Sequence, residues 1–266
     1  MNNYMADNKD RLKLQNEAFK EYLSHSDHRL KKSDILVFIP VHNEEITIEK
    51  VIKKVQTSSD FDILVVDDGS TDATNSIVKQ MGIEILKHPR CLGSMVLLSG
   101  LMAAKSFNYK FIIKIDGDDQ HDAKDIPKLY AHAVKTNADV VTGSRHFKKY
   151  TGNLFSIQGL GMWFCSTMVS VMARRRITDV TSGLKIWNSK AVETLIQAFN
   201  KGLFDEDSTI LIEETLIEAK KKLIIEEIPV VMYPREYGES KSYSKKKMMM
   251  FPLNLIRGLA RVTVSR

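Results

Sequence analysis

Only two cysteines, Cys91 and Cys165, occur in 266 residues. That number and spacing exclude a disulfide framework and a zinc knuckle, and they fit a reducing compartment. The opening stretch, MNNYMADNKDRLKLQNEAFKEYL, is charged throughout and lacks the apolar centre of a signal peptide, so a cytoplasmic chain is expected. No Gly-x-Gly-x-x-Gly follows any apolar run, which excludes a dinucleotide-binding dehydrogenase. No internal repeat or long flexible linker is present. A membrane span needs about 20 predominantly apolar residues. The nearest approach is the charge-free stretch 150–173, but Asn153, Gln158 and three glycines interrupt it. Its apolar part is concentrated in 160–173 and reads as a buried or membrane-surface helix.

Charge is unevenly placed. The net value is +6, and residues 235–266 hold all of that excess, with eight Lys or Arg against two Glu. Residues 1–234 carry 31 charges of each sign. A neutral body with a basic tail fits a tail that meets phosphate or a membrane surface, and peripheral membrane contact is expected. No nucleic-acid partner is expected.

What is present in quantity is alternation. ILVFI (35–39), FDILVV (61–66), IEIL (83–86), KFIIKI (110–115) and DVVTG (139–143) are short apolar runs of strand character. Between them lie EEITIEKVIKKV, TDATNSIVKQM, SMVLLSGLMAAKSF and DIPKLYAHAVKT, with apolar residues largely at helical spacing and Pro127 in a first turn. Such alternation predicts an α/β fold with a mostly parallel sheet flanked by helices. The expected plan is a polar helical extension (1–33), one catalytic domain (34–240) and a basic lid or tail (241–266). Ligands of such sheets bind beyond the carboxyl ends of the strands. Three polar clusters fall there: HNEE (42–45), DDGSTD (67–72) and DGDDQHD (116–122).

The third cluster crowds four aspartates behind a strand, and like charges at that spacing repel unless something positive sits among them. Asp116 and Asp118 are one residue apart, so at an extended strand end both carboxylates face one side. With Gly117 leaving room, they form a hard oxygen site for Mg²⁺ or Mn²⁺, the kind that substrate phosphates complete. Asp122 or Asp125 serves as the cap of the helix that follows. In DDGSTD the glycine supplies the turn and Ser70 or Thr71 caps a helix, leaving Asp67 and Asp68 to accept hydrogen bonds from a base or ribose.

Read in order, FIPVHNEEITI, ILVVDDGSTDAT, IIKIDGDDQHDAKDIPKL, DVVTGSRH and DVTSGLKIW resemble the inverting family 2 glycosyltransferases of GT-A fold. The likeness is strongest to the dolichyl- and polyprenyl-phosphate mannosyl- and glucosyltransferases, and it runs from about residue 35 to about 245. It implies a nucleotide pocket lined by Pro40, His42 and Glu44, with Asp67 or Asp68 on the base and ribose of a UDP- or GDP-sugar. It implies Asp116 and Asp118 on the metal, Gln120 beside the sugar and Arg145 facing phosphate. Thr181, Ser182 and Gly183 would shape the acceptor side, and YGESKSYS (237–244) would form a lid with Lys241 near the diphosphate. The expected activity is metal-dependent transfer of a sugar to polyprenyl phosphate at the cytoplasmic membrane face.

A lipid phosphate is already ionised near neutral pH and needs no strong base. The alternative acceptor, a hydroxyl of a saccharide or glycolipid, needs a carboxylate base, for which Asp205, Glu206, Asp207 and above all Glu214 are the candidates. HPRCLGSMVLLSG stands where the family has an Asn-x-Gly-Lys stretch, which leaves the donor base open. No Gln-x-x-Arg-Trp follows the acidic helix, against a processive polysaccharide synthase. A nucleotidyltransferase would need a glycine-rich basic loop after the first strand, and VHNEEITI is neither. A non-catalytic binding relative is disfavoured by the presence of Asp116, Asp118 and Arg145.

Overall fold

The computed structural model describes residues 8–90, 93–146, 157–204, 209–235 and 245–264. Its strands are β1 (Ile35–Val41), β2 (Asp62–Asp68), β3 (Glu84–His88), β4 (Phe111–Lys114), β5 (Val140–Ser144), β6 (Lys185–Asn188) and β7 (Ile225–Pro229). They form one sheet in the order β3-β2-β1-β4-β6-β5-β7. Only β6 runs against its neighbours β4 and β5, so the sheet is mostly parallel, as the alternation predicts. Chain order reverses between β1 and β4, and in open α/β sheets ligands bind at the carboxyl ends beside such a reversal. HNEE, DDGSTD and DGDDQHD follow β1, β2 and β4, so all three meet at that point.

The central strands are apolar on both faces because both are covered. Leu36 and Phe38 of β1, with Leu64 and Val66 of β2, face α4 (Gly93–Ser106) and α7 (Ser189–Asn200). Val37, Ile39 and Val65 face α2 (Ile48–Ser58) and α5 (Ile126–Thr136). Helix α2 is strongly amphipathic and buries Ile48, Val51, Ile52 and Val55. In α4 nearly every residue from Ser94 to Ala104 is buried, and Gly100 lies against the Phe38 ring where a Cβ would collide.

The sequence led us to expect a polar extension over residues 1–33. Its helix, α1 (Asn8–Ser24), instead presents one face to the core, where Phe19 and Tyr22 are buried. Gln15 is also buried and donates from Nε2 to Ser99 Oγ at 2.9 Å. Ser99 Oγ pairs in turn with His88 Nε2 at 2.7 Å, tying α1, α4 and β3 together. Burial pushes the His88 imidazole down to about 4. Unfolded, it would take its proton near pH 6.5, so the unfolded chain binds more protons between those values. The resulting stability is complete above pH 6.5 and is lost as pH falls towards 4, a difference of about 3 kcal/mol. Urea midpoints of the wild type should fall over that interval, and His88→Gln should flatten this part of the profile.

Candidate active site

The first two polar clusters knit to one another. Asn43 takes the left-handed conformation (φ 54°), which asparagine tolerates. Its N–H donates to Ser70 Oγ at 2.9 Å and its Oδ1 accepts from Thr71 N at 2.8 Å. Glu44 N donates to Thr74 Oγ1 (2.9 Å), and Glu45 Oε2 accepts from Ala73 N (2.9 Å). Gly69 (φ 71°) makes the tight turn, packed so closely on the Arg90 backbone that a Cβ would clash. Pro40, His42 and Glu44 stay half-buried along the crevice. His42 Nδ1 pairs with the Asp68 carbonyl at 2.9 Å.

Asp67 departs from its expected place on a base or ribose. It is 1% exposed, and its carboxylate accepts from Ser70 N (3.1 Å), Ser70 Oγ and Asn75 Nδ2 (2.9 Å). Those donors use it to set the turn, and Asp68 beside it is buried as well, at 7% exposure.

The third cluster answers its crowding with cations from three parts of the chain. Asp116 has Lys114 Nζ at 3.4 Å and His121 Nε2 at 3.7 Å. Burial works to raise its pKa, but Lys114 and His121 outweigh it and hold the carboxyl well below its ordinary range. Asp118 is pushed up, first by burial and then by the charge of Asp116. It accepts from Gln120 N (3.2 Å) and from Arg235 Nη2 (3.0 Å). Asp119 (φ 61°) is gripped by Lys50 and Lys54 of α2, each at 2.6 Å. Asp122 caps the short 3₁₀ turn Ala123–Asp125 through Lys124 N (3.0 Å). Asp125 pairs with Lys128 and makes no side-chain cap.

Gln120 anchors backbone. Its carbonyl accepts from Tyr233 N at 2.7 Å and its Nε2 donates to Tyr233 O at 3.1 Å. The acidic loop is thus laced to the segment after β7, and Arg235 lies two residues beyond that joint. A cleft of about 990 Å³ opens here, bounded by Asp118, Tyr233 and Arg235 and by Lys50 and Lys54. Its size is that of a site for a small-molecule ligand.

Two expectations need correcting. Arg145 does not present its fork to a phosphate: Nε and Nη2 hold both oxygens of Asp179 at 2.6 Å, and Nη2 also reaches Thr181 Oγ1 at 2.6 Å. The Asp179 carboxyl is held low because this fork outweighs its burial. The pair clamps the loop that ends at Gly183. Ser182 is buried in that loop, its Oγ accepting from Leu184 N at 3.3 Å. Gly183 lies against Asp116, where any Cβ would run into the carboxylate.

Glu214, the expected base, is 0% exposed in α8 (Ile210–Lys220) and bound to Lys185. Glu218 Oε2 also meets Lys185 (3.3 Å), and its Oε1 accepts from Trp187 Nε1 (2.7 Å). Burial pushes Glu218 up to about 7. This is an interior charge cluster without access to a substrate. Lys241, Asp205, Glu206 and Asp207 lie outside the described residues.

Among the described residues no group of three His, Cys, Asp or Glu side chains is arranged to hold a metal. The pair Asp116 and Asp118 nevertheless fits a hard divalent cation whose remaining ligands come from substrate phosphate and water. His121 is buried beside Asp116, its Nε2 3.7 Å from Asp116 Oδ2 and beyond hydrogen-bond distance, a further polar group at this spot. Sequence reasoning missed Lys114 and Arg235. Lys114 was legible, two residues before Asp116 on an extended chain. Arg235 was not, being 117 residues from Asp118.

The family model described as glycosyl transferase family 2 matches residues 36–196. An uncharacterized protein of Methanocaldococcus jannaschii is 30% identical over 218 residues, covering 80% of this chain and 87% of that protein. A UDP-N-acetylglucosamine–dolichyl-phosphate N-acetylglucosaminyltransferase of Methanococcus voltae is 26% identical over 77% of this chain and 87% of its own length. Among solved structures, glucosyl-3-phosphoglycerate synthase from Mycobacterium tuberculosis, in complex with Mn²⁺, UDP and glucosyl-3-phosphoglycerate, superposes with a TM-score of 0.64. That likeness, at 17% identity, covers 91% of this chain and 88% of the other.

Gly183→Ala should displace Asp116 and weaken Mn²⁺ binding, read by electron paramagnetic resonance, by about tenfold or more, with the fold retained by circular dichroism. Glu214→Gln should cost about 2 kcal/mol of stability in urea denaturation, the signature of an interior ion pair.

Proposed function

The chain belongs to glycosyl transferase family 2, and on that premise we propose that it moves a sugar from a nucleotide-sugar donor to a polyprenyl phosphate at the cytoplasmic face of a membrane. The observation that carries the lipid acceptor is the outer side of α6 (Ile157–Ala173). Leu160, Trp163 and Phe164 each stand about half exposed, and Val171 is 72% exposed. Their spacing puts them on one stripe, opposite Cys165 and Val169, which pack inward with Leu255 of α9 (Lys245–Val264). A soluble monomer rarely spends a whole helix face this way. The stripe ends at Arg174 and Arg176, both exposed, so it pairs an apolar ridge with basic charge, as helices lying in a membrane interface do. Among the described residues no helix is long and apolar enough to cross a membrane. The Methanococcus voltae relative, named for a dolichyl-phosphate acceptor, supports the same reading.

In this reading Pro40, His42, Glu44 and Asp68 border the nucleotide. Asp116 and Asp118 would hold Mg²⁺ or Mn²⁺, which when bound supplies electrostatic stabilisation of the diphosphate leaving group. The acceptor phosphate oxygen attacks the anomeric carbon from the side opposite the diphosphate. The new C–O bond forms as the bond to the diphosphate breaks, so the configuration inverts. No proton has to be removed from an ionised phosphate, which agrees with Glu214 being committed to Lys185. Arg145 and Asp179 hold the loop carrying Ser182 and Gly183 so that it meets Asp116 in a fixed place.

The test is transfer of label from UDP- and GDP-sugars into polyprenyl phosphate in anionic vesicles, with Mn²⁺ or with EDTA. Label should enter the organic phase only with metal, and Asp118→Ala should abolish it. Trp163→Glu with Phe164→Glu should remove vesicle flotation and lipid labelling while nucleotide binding stays intact. Transfer only to water-soluble saccharide hydroxyls overturns the lipid acceptor.

A further inference from the structure

Arg235 touches two of the three polar clusters. Its Nη2 lies 3.1 Å from Glu44 Oε1, in the turn after β1, and 3.0 Å from Asp118 Oδ2, in the loop after β4. It is mostly buried, at 18% side-chain exposure. The backbone before it is fixed by the paired Tyr233–Gln120 hydrogen bonds and by the His121–Met232 bridge. A long side chain therefore projects from a fixed joint into the crevice.

We infer that Arg235 is a donor-positioning residue that holds Asp118 and transfers to the donor diphosphate when metal and nucleotide load together. The inference rests on the reading that Asp116 and Asp118 take a divalent cation. A guanidinium 3.0 Å from Asp118 Oδ2 and a divalent ion on the same carboxylate would repel strongly at that range. Metal loading thus requires Arg235 to leave Asp118, and metal arriving alone gives it no new anion in exchange. A nucleotide diphosphate provides that anion in the same cleft, in the bidentate geometry a guanidinium favours. The two ligands then favour one another's binding. Couplings of this kind usually amount to between about 5- and 150-fold.

The test measures Mn²⁺ binding by electron paramagnetic resonance, alone and with UDP or GDP, and nucleotide binding by calorimetry at saturating Mn²⁺. It uses the wild type, Arg235→Gln and Arg235→Lys. For Arg235→Gln the inference expects opposite shifts: about tenfold tighter Mn²⁺ without nucleotide, and about tenfold weaker nucleotide with Mn²⁺. Arg235→Lys, which keeps the charge without the fork, should fall between. A purely structural arginine would weaken both bindings together, and that result overturns the inference. So does nucleotide-free Mn²⁺ affinity in Arg235→Gln that equals the wild type. Wild-type protein that binds no Mn²⁺ even with either nucleotide overturns the cation reading itself and this inference with it. Mn²⁺ binding that is lost in Asp118→Asn but indifferent to Arg235 overturns the inference alone.

Discussion

The acidic loop after β4 holds more negative charge than its surroundings tolerate unaided, and the chain supplies the compensation from a distance. Burying a carboxylate without a partner costs several kcal/mol, so each aspartate recruits a neighbour. Asp116 draws on Lys114 from its own strand and His121 from its own loop. Asp119 draws on α2, and Asp118 on the segment after β7. The electrostatic demand of one short loop thereby fixes how α2 and residues 232–235 sit around the carboxyl ends of β1 and β4. The crowded carboxylates are braced by lysine and arginine.

The antiparallel strand β6 is the second constraint. Because β6 pairs with β4 in reverse, the chain entering it passes the carboxyl end of β4 just before pairing begins. That is why Gly183 meets Asp116, and why only glycine fits there. Everything upstream serves this approach. Ser144 meets Thr178 at 2.6 Å, Thr178 is held by Glu227, and Asp179 takes the Arg145 fork. The acceptor-side loop is thus set by β5 and β7 on one flank and by the acidic loop on the other.

How much of this the sequence disclosed depended on sequence distance. The strands through β5 and the three polar clusters at their ends are properties of local spacing, and they were legible. The partners of Asp67, Arg145 and Glu214 are not local. The family resemblance implies a phosphate for Arg145, and nothing near it in sequence announces Asp179, 34 residues on. Glu214 was read as a base because an acidic helix can supply one, but its burial follows from Lys185, 29 residues earlier and across the interior. The polar appearance of α1 hid Phe19 and Tyr22, whose burial depends on β3 and α4 rather than on the helix's own pattern.

The same dependence bears on how an apolar acceptor would be delivered. Helix α6 passes within a few residues from its exposed stripe to Ile177 and Val180, which pack in the small cluster beneath it, and then to the clamped loop and Gly183. No flexible linker separates ridge from loop. A surface bound along Leu160, Trp163 and Phe164 would therefore be linked through short, packed chain to the loop in which Gly183 meets Asp116. A freely diffusing saccharide would gain nothing from such rigidity. A lipid confined to two dimensions would gain orientation before any contact is made, and short, packed chain from an apolar ridge to the carboxylate would suit that case.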